Sequence, residues 1–135
     1  MIRFWSFTLF AAILVVGCQS KPSQSVANDP NLKPKVVFTE NIYDFGNIKQ
    51  GETVSHTFFF KNEGPGNLII KDVIPSCGCT SSRYSKEPVA PGGEGQVEVL
   101  FDTEGWNGYQ IKQLTLKLNT EEGYFTVTIE GNVTE

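Results

Sequence analysis

Thr53-Val54-Ser55-His56-Thr57-Phe58-Phe59-Phe60-Lys61 is the stretch that decides the fold class. Counting every second residue puts Val54, His56, Phe58 and Phe60 on one side of this β-branched and aromatic run, the pattern of a strand with one buried face. Gly51-Glu52 opens it, and Asn62-Glu63-Gly64-Pro65-Gly66-Asn67 closes it. That closing segment is a turn by composition, because Gly and Asn tolerate positive φ and Pro fixes its own.

The same pattern repeats on both sides. Towards the N-terminus lie Val36-Val37-Phe38-Thr39 and Ile42-Tyr43-Asp44-Phe45-Gly46. Towards the C-terminus, Leu68 to Ile74 runs into Pro75 and Ser76-Cys77-Gly78-Cys79-Thr80. Ser81 to Lys86 is polar and ambiguous, and Pro88-Val89-Ala90-Pro91-Gly92-Gly93 is no central strand, since its prolines lack N–H donors. Gln96 to Phe101 alternates with Val97, Val99 and Phe101 inward. A loop with Gly105, Trp106, Asn107 and Gly108 precedes Tyr109 to Asn119, where Leu114, Leu116 and Leu118 share a face. Glu121-Glu122-Gly123 then turns the chain into Tyr124 to Val133, with Phe125, Val127 and Ile129 inward.

About seven strands at regular spacing, with no sustained helical period after the first segment, predict an all-β immunoglobulin-like sandwich over alternating βαβ units. A barrel is the competing architecture. The antibody arrangement of two inter-sheet cysteines is excluded, because Cys77 and Cys79 are too close in sequence to join two sheets.

Residues 1–17 read as a lipoprotein signal peptide: Arg3, an apolar run from Phe4 to Val16, then Val15-Val16-Gly17-Cys18. A signal helix is expected there, with Cys18 as the lipidation site after cleavage. Several acyl chains such as palmitate on one residue exceed the two membrane signals that stable anchoring needs. Residues 18–34, rich in Ser, Pro, Asn, Gln and Lys, read as a flexible lipid-anchored tether, and residues 35–135 as the sandwich domain. Losing Arg3 leaves ten basic against fifteen acidic side chains, a formal −5. An acidic domain without a basic stripe excludes nucleic acid as a partner. The expected location is the bacterial cell envelope. No acidic cluster follows Cys18, which favours a periplasm-facing site over surface export.

Catalytic signals are sparse. His56 is the single histidine, no Gly-x-Ser-x-Gly elbow is present, and Gly92-Gly93-Glu94-Gly95 lacks the lysine and hydroxyl of a phosphate loop. No enzyme activity and no required cofactor are expected. Cys77 and Cys79 remain. In an exported protein a disulfide between them is the simplest reading, and it would close a very small ring whose geometry stores strain. Such a ring adds little stability, since loop-closure entropy is smallest for short loops. The pair is therefore a local clamp, an exchange-competent disulfide, or two thiolates for a soft ion such as Cu(I). His56 is a weak third metal ligand, if the fold brings it near.

Several segments together resemble the family called domain of unknown function 1573. These are Tyr43-Asp44-Phe45-Gly46-Asn47-Ile48, Gly51-Glu52-Thr53, Phe60-Lys61-Asn62-Glu63-Gly64, Ser76-Cys77-Gly78-Cys79-Thr80, Ala90-Pro91-Gly92, Val97-Glu98-Val99-Leu100-Phe101-Asp102-Thr103 and Gly131. The resemblance spans about Val37 to Val133. It implies an immunoglobulin-like domain related to bacterial chaperone and sperm-protein sandwiches, often found in lipoproteins of the Bacteroides group, and it implies no established activity. The link Asn119 to Gly123 is shorter than the proline-bearing link of many members, which leaves the register of the last hairpin open. A weaker analogy is to the copper chaperone of cytochrome oxidase assembly, which is similar in joining such a sandwich to a Cys-x-Cys segment. The expected protein is a membrane-tethered binding or interaction module for an envelope protein, with copper-binding or thiol-redox chemistry at Cys77-Gly78-Cys79 as the alternative.

Overall fold

The computed structural model describes residues 31–135. The expected signal helix, Cys18 and most of the tether lie outside the described residues. Eight strands follow: β1 (Val36–Phe38), β2 (Ile42–Lys49), β3 (Thr53–Asn62), β4 (Ile70–Pro75), β5 (Thr80–Tyr84), β6 (Glu94–Asp102), β7 (Gly108–Leu118) and β8 (Tyr124–Thr134). They form two four-stranded sheets, ordered β1-β3-β6-β5 and β2-β8-β7-β4. The architecture is the expected sandwich, with no helix among the described residues.

The alternation read along β3 is the burial seen: Val54, Phe58 and Phe60 are buried and meet Val97, Val99 and Phe101 of β6. Leu114, Leu116 and Leu118 of β7, with Val127 and Ile129 of β8, close the core from the other sheet. The last hairpin is regular, pairing Lys117 with Tyr124, and Gly123 turns it at φ 78°. The extra strand is β5, where Ser81 to Lys86 reads as ambiguous. It lies at a sheet edge with only Thr80, Ser82 and Tyr84 facing inward, so it needs little apolar content.

The chain changes sheet between β1 and β2. β1 runs antiparallel to β3, and β2 then pairs in parallel with β8, Ile42 opposite Thr128. A bulge between Asp44 and Asn47 interrupts that ladder. Gly46 turns through it at φ 68°, and its N–H donates to the Asp44 carboxylate at 2.8 Å. Leu32 to Pro34, expected in the tether, lie against the turn after β3. A side chain at Gly64 or Gly66 would collide with their backbone.

The quoted sequence segments meet in pairs. Asn62, fully buried, accepts from the N–H groups of Lys35 and Gly64 and donates to the carbonyls of Gly66 and Val89. Its backbone bonds Gly92 and Gly93, so it joins the turn after β3 to the Ala90-Pro91-Gly92 segment. Thr103, also fully buried, donates its hydroxyl to Glu52 O at 2.6 Å. The Phe45 ring covers Gly131 so closely that a methyl group there has no room.

Candidate functional site at the cysteine turn

Ser76-Cys77-Gly78-Cys79 carries the chain from β4 in one sheet to β5 in the other. Backbone bonds fasten both ends. Ser76 N donates to Gln113 O at 2.9 Å, and Ser76 Oγ accepts from Gln113 N at 3.0 Å. Asp102 N donates to Cys79 O at 3.1 Å, and Thr80 pairs with Phe101 at the start of β5. A further bond from Thr80 N to Cys77 O, 3.3 Å, closes the turn on itself.

Cys77 and Cys79 are joined as a disulfide, with Cα atoms 5.3 Å apart. That spacing lies within the ordinary range for disulfides, so the small ring is accommodated without stretching the backbone across it. Gly78 stands exposed at the tip with open space where a side chain would be. Both cysteines are half-buried, whereas Thr80 is only 4% exposed. The Thr80 hydroxyl oxygen lies 3.3 Å from Cys77 Sγ and 3.9 Å from Cys79 Sγ. A disulfide sulfur carries no proton, so the hydroxyl is the donor and is aimed chiefly at Cys77. An open hollow of about 300 Å³ lies alongside, lined by Thr53, Gly78, Cys79, Ser81, Leu100 and Asp102.

The structure does not bring His56 to the cysteines. β6 separates its strand from β5. Its Nε2 bonds the Glu40 carboxylate at 2.8 Å, and its ring stacks on Tyr43 at 3.6 Å and meets the edge of Phe58 at 4.7 Å. His56 thus closes the gap between the β3 sheet and β2. Among the described residues, no three His, Cys, Asp or Glu side chains are grouped to hold a metal. While the disulfide is intact neither sulfur is a thiolate, so a Cu(I) ligand pair arises only after reduction.

Two features escape a reading of the sequence. Thr80 belongs to the quoted cysteine segment, and its signal is an inward position at the first residue of a strand beside a thiol pair. Lys112 shares the inward face of β7 with Leu114 and Leu116. Its ammonium group lies 3.3 Å above the Trp106 ring centroid and donates to Gln110 Oε1 at 3.1 Å, and the residue is only 6% exposed. Burial pushes its pKa below the ordinary lysine value.

Residues 36–133 match the profile described as "Protein of unknown function (DUF1573)". The chain belongs to this family. No curated protein matches the sequence. Among solved structures, a Porphyromonas gingivalis W83 protein of unknown function superposes with a TM-score of 0.66 at 17% identity, covering 78% of this chain and 50% of that one. The chain therefore spans about half the length of that relative. The ASH/PapD-like domain 7 of human CEP192 gives 0.56 at 14% identity over 95% of this chain and 99% of that domain. The Vibrio cholerae protease VesB gives 0.58 at 18%, covering 74% of this chain and 32% of that one. Identities this low speak to fold alone. This DUF1573 domain is thus an immunoglobulin-like sandwich, similar in fold to that PapD-like domain.

Proposed function

We propose that this DUF1573 protein is a lipid-anchored, non-catalytic interaction module of the bacterial envelope, tethered through Cys18, facing the periplasm and binding a protein partner. One observation carries the binding role. Ile42, Ile74, Tyr109, Ile111 and Tyr124 are each at least half exposed, and all five lie on the outer face of the β2-β8-β7-β4 sheet. Single exposed apolar residues are ordinary, but five on one face, with Tyr109 and Ile111 adjacent along β7, support a contact surface. Asp44 and Glu130 are register partners on that face, and Glu130 is in turn paired with Ile111. Like charges placed side by side disfavour the free surface, so the fitting partner combines apolar side chains with a cation.

A photo-crosslinking residue at Ile111 tests the reading, with Phe59 on the opposite sheet as control. The expected result is one defined protein adduct from Ile111, lost in Tyr109→Ser and retained in Cys77→Ser with Cys79→Ser. Equal, diffuse labelling from both positions overturns the binding role. Failure of Cys18→Ala to abolish incorporation of a palmitate analogue overturns the anchor.

A further inference from the structure

The other quoted segments meet in stabilising pairs, but the cysteine bond joins two parts of one turn that backbone hydrogen bonds already fasten to both sheets. A clamp there is redundant. The ring it closes is so short that cross-linking removes little freedom from the unfolded chain. Both cysteines are only half-buried and Gly78 between them is exposed, so an incoming thiolate can approach the turn, and exposed disulfides are the labile ones.

The two sulfurs are not equivalent. Cys79 borders the hollow but also packs against the core, whereas Cys77 has the closer contact with the buried Thr80 hydroxyl. Thiol–disulfide exchange is governed by which sulfur is accessible and by how well the departing thiolate is stabilised. Both cysteines are half-buried, so the Thr80 contact decides the direction. An O–H donor fixed 3.3 Å from Cys77 Sγ favours departure of Cys77, because a hydrogen bond to an ionised sulfur is stronger than one to a neutral sulfur.

We infer that Cys77–Cys79 is a directional thiol–disulfide exchange site for a dithiol, with Cys79 as the attacked sulfur, Cys77 as the leaving thiolate and Thr80 as its positioning donor. One thiolate of the dithiol attacks Cys79 Sγ. The Cys77–Cys79 bond breaks, a mixed disulfide to Cys79 forms, and Cys77 leaves with the electron pair. The second thiol of the reductant gives up its proton to solvent and attacks its own partner sulfur, displacing the Cys79 thiolate. Cys77 and Cys79 then take protons from solvent. Two electrons pass to the domain and the dithiol becomes a disulfide.

The test uses the detergent-extracted full chain and glutathione, a monothiol with no second thiol of its own to resolve the mixed disulfide. Brief exposure under native conditions, acid quenching, alkylation of the freed thiol and fragment sequencing assign each sulfur. The expected result is glutathione on Cys79 and the alkyl group on Cys77, in about tenfold excess over the reverse. An even split, the reverse preference, or no adduct without denaturant overturns the proposal. For the donor, Thr80→Val should slow reduction by dithiothreitol by about threefold or more and raise the Cys77 thiol pKa in a Cys79→Ser background, and Thr80→Ser should restore both. A Thr80→Val protein of native circular dichroism that reduces at the unmodified rate removes Thr80 from the mechanism.

Discussion

Replacing Asn62 with alanine removes four side-chain hydrogen bonds from a fully buried position. The consequences differ by partner. Val89 O keeps a second donor, Leu68 N at 2.9 Å. Lys35 N, Gly64 N and Gly66 O lose the partner Asn62 supplies. An orphaned buried group costs about 1–3 kcal/mol, and water reaching the turn offsets part of that, so we expect a loss of about 3–4 kcal/mol. For a domain of this size that lowers Tm by roughly 15 °C. Urea unfolding followed by Trp106 fluorescence gives the free energy, and thermal denaturation checks it. Asn62→Asp sharpens the reasoning, because its carboxylate still accepts from Lys35 N and Gly64 N but faces two carbonyl oxygens. That repulsion raises the folded-state pKa of the new aspartate above its unfolded value. The variant should therefore gain stability as pH falls through the folded pKa and lose it as pH rises. A cost below about 1 kcal/mol for Asn62→Ala, or an Asn62→Asp variant insensitive to acid, would refute the assignment of Asn62 as the joint between the two loops.

Gly131→Ala would drive a methyl group into the Phe45 ring and to 2.7 Å from Gly46 O; a loss of about 2–3 kcal/mol is expected in urea unfolding, part of it recovered by pairing the change with Phe45→Leu. Lys112 has its pKa depressed by burial, so the unfolded chain holds that proton more tightly, and stability should rise with pH through the alkaline range below the ordinary lysine value. Lys112→Met should abolish that slope in pH-dependent melts, and a slope retained in full would assign it elsewhere. Replacing both Cys77 and Cys79 with serine should cost only about 1–2 kcal/mol on the chain-entropy account of so short a ring, and a much larger loss in denaturant titration would restore the clamp.

Strand alternation was legible wherever one face is buried and the other is wet. Val54, Phe58 and Phe60 of β3 and the leucines of β7 announce their own orientation, because period two and burial coincide there. β5 escapes that test. Its inward residues are Thr80, Ser82 and Tyr84, and an edge position lets polar side chains serve as strand. Asn62 reads as turn material by composition, yet its side chain organises the loops around it, a role set by residues as distant as Val89. The cysteine turn was legible as a pair and as a small ring. Which sulfur the Thr80 hydroxyl contacts more closely follows from the crossing between sheets, and no local spacing encodes it. Inward-facing His56 was likewise visible from alternation, but its engagement with Glu40 and Tyr43 depends on how the chain enters β2.

The parallel pairing of β2 with β8 also sets an order of events during biogenesis. A chain emerging N-terminus first presents Ile42 to Lys49 long before Thr128 to Thr134 exist to receive them. Until the final strand arrives, β2 has no ladder in its own sheet, and closure waits on contacts between opposite ends of the sequence, the slow kind in folding. An unpaired strand in that interval is a template for a neighbouring copy. Completion of the C-terminal strand is therefore the step that commits each molecule to its own fold rather than to exchange with its neighbour.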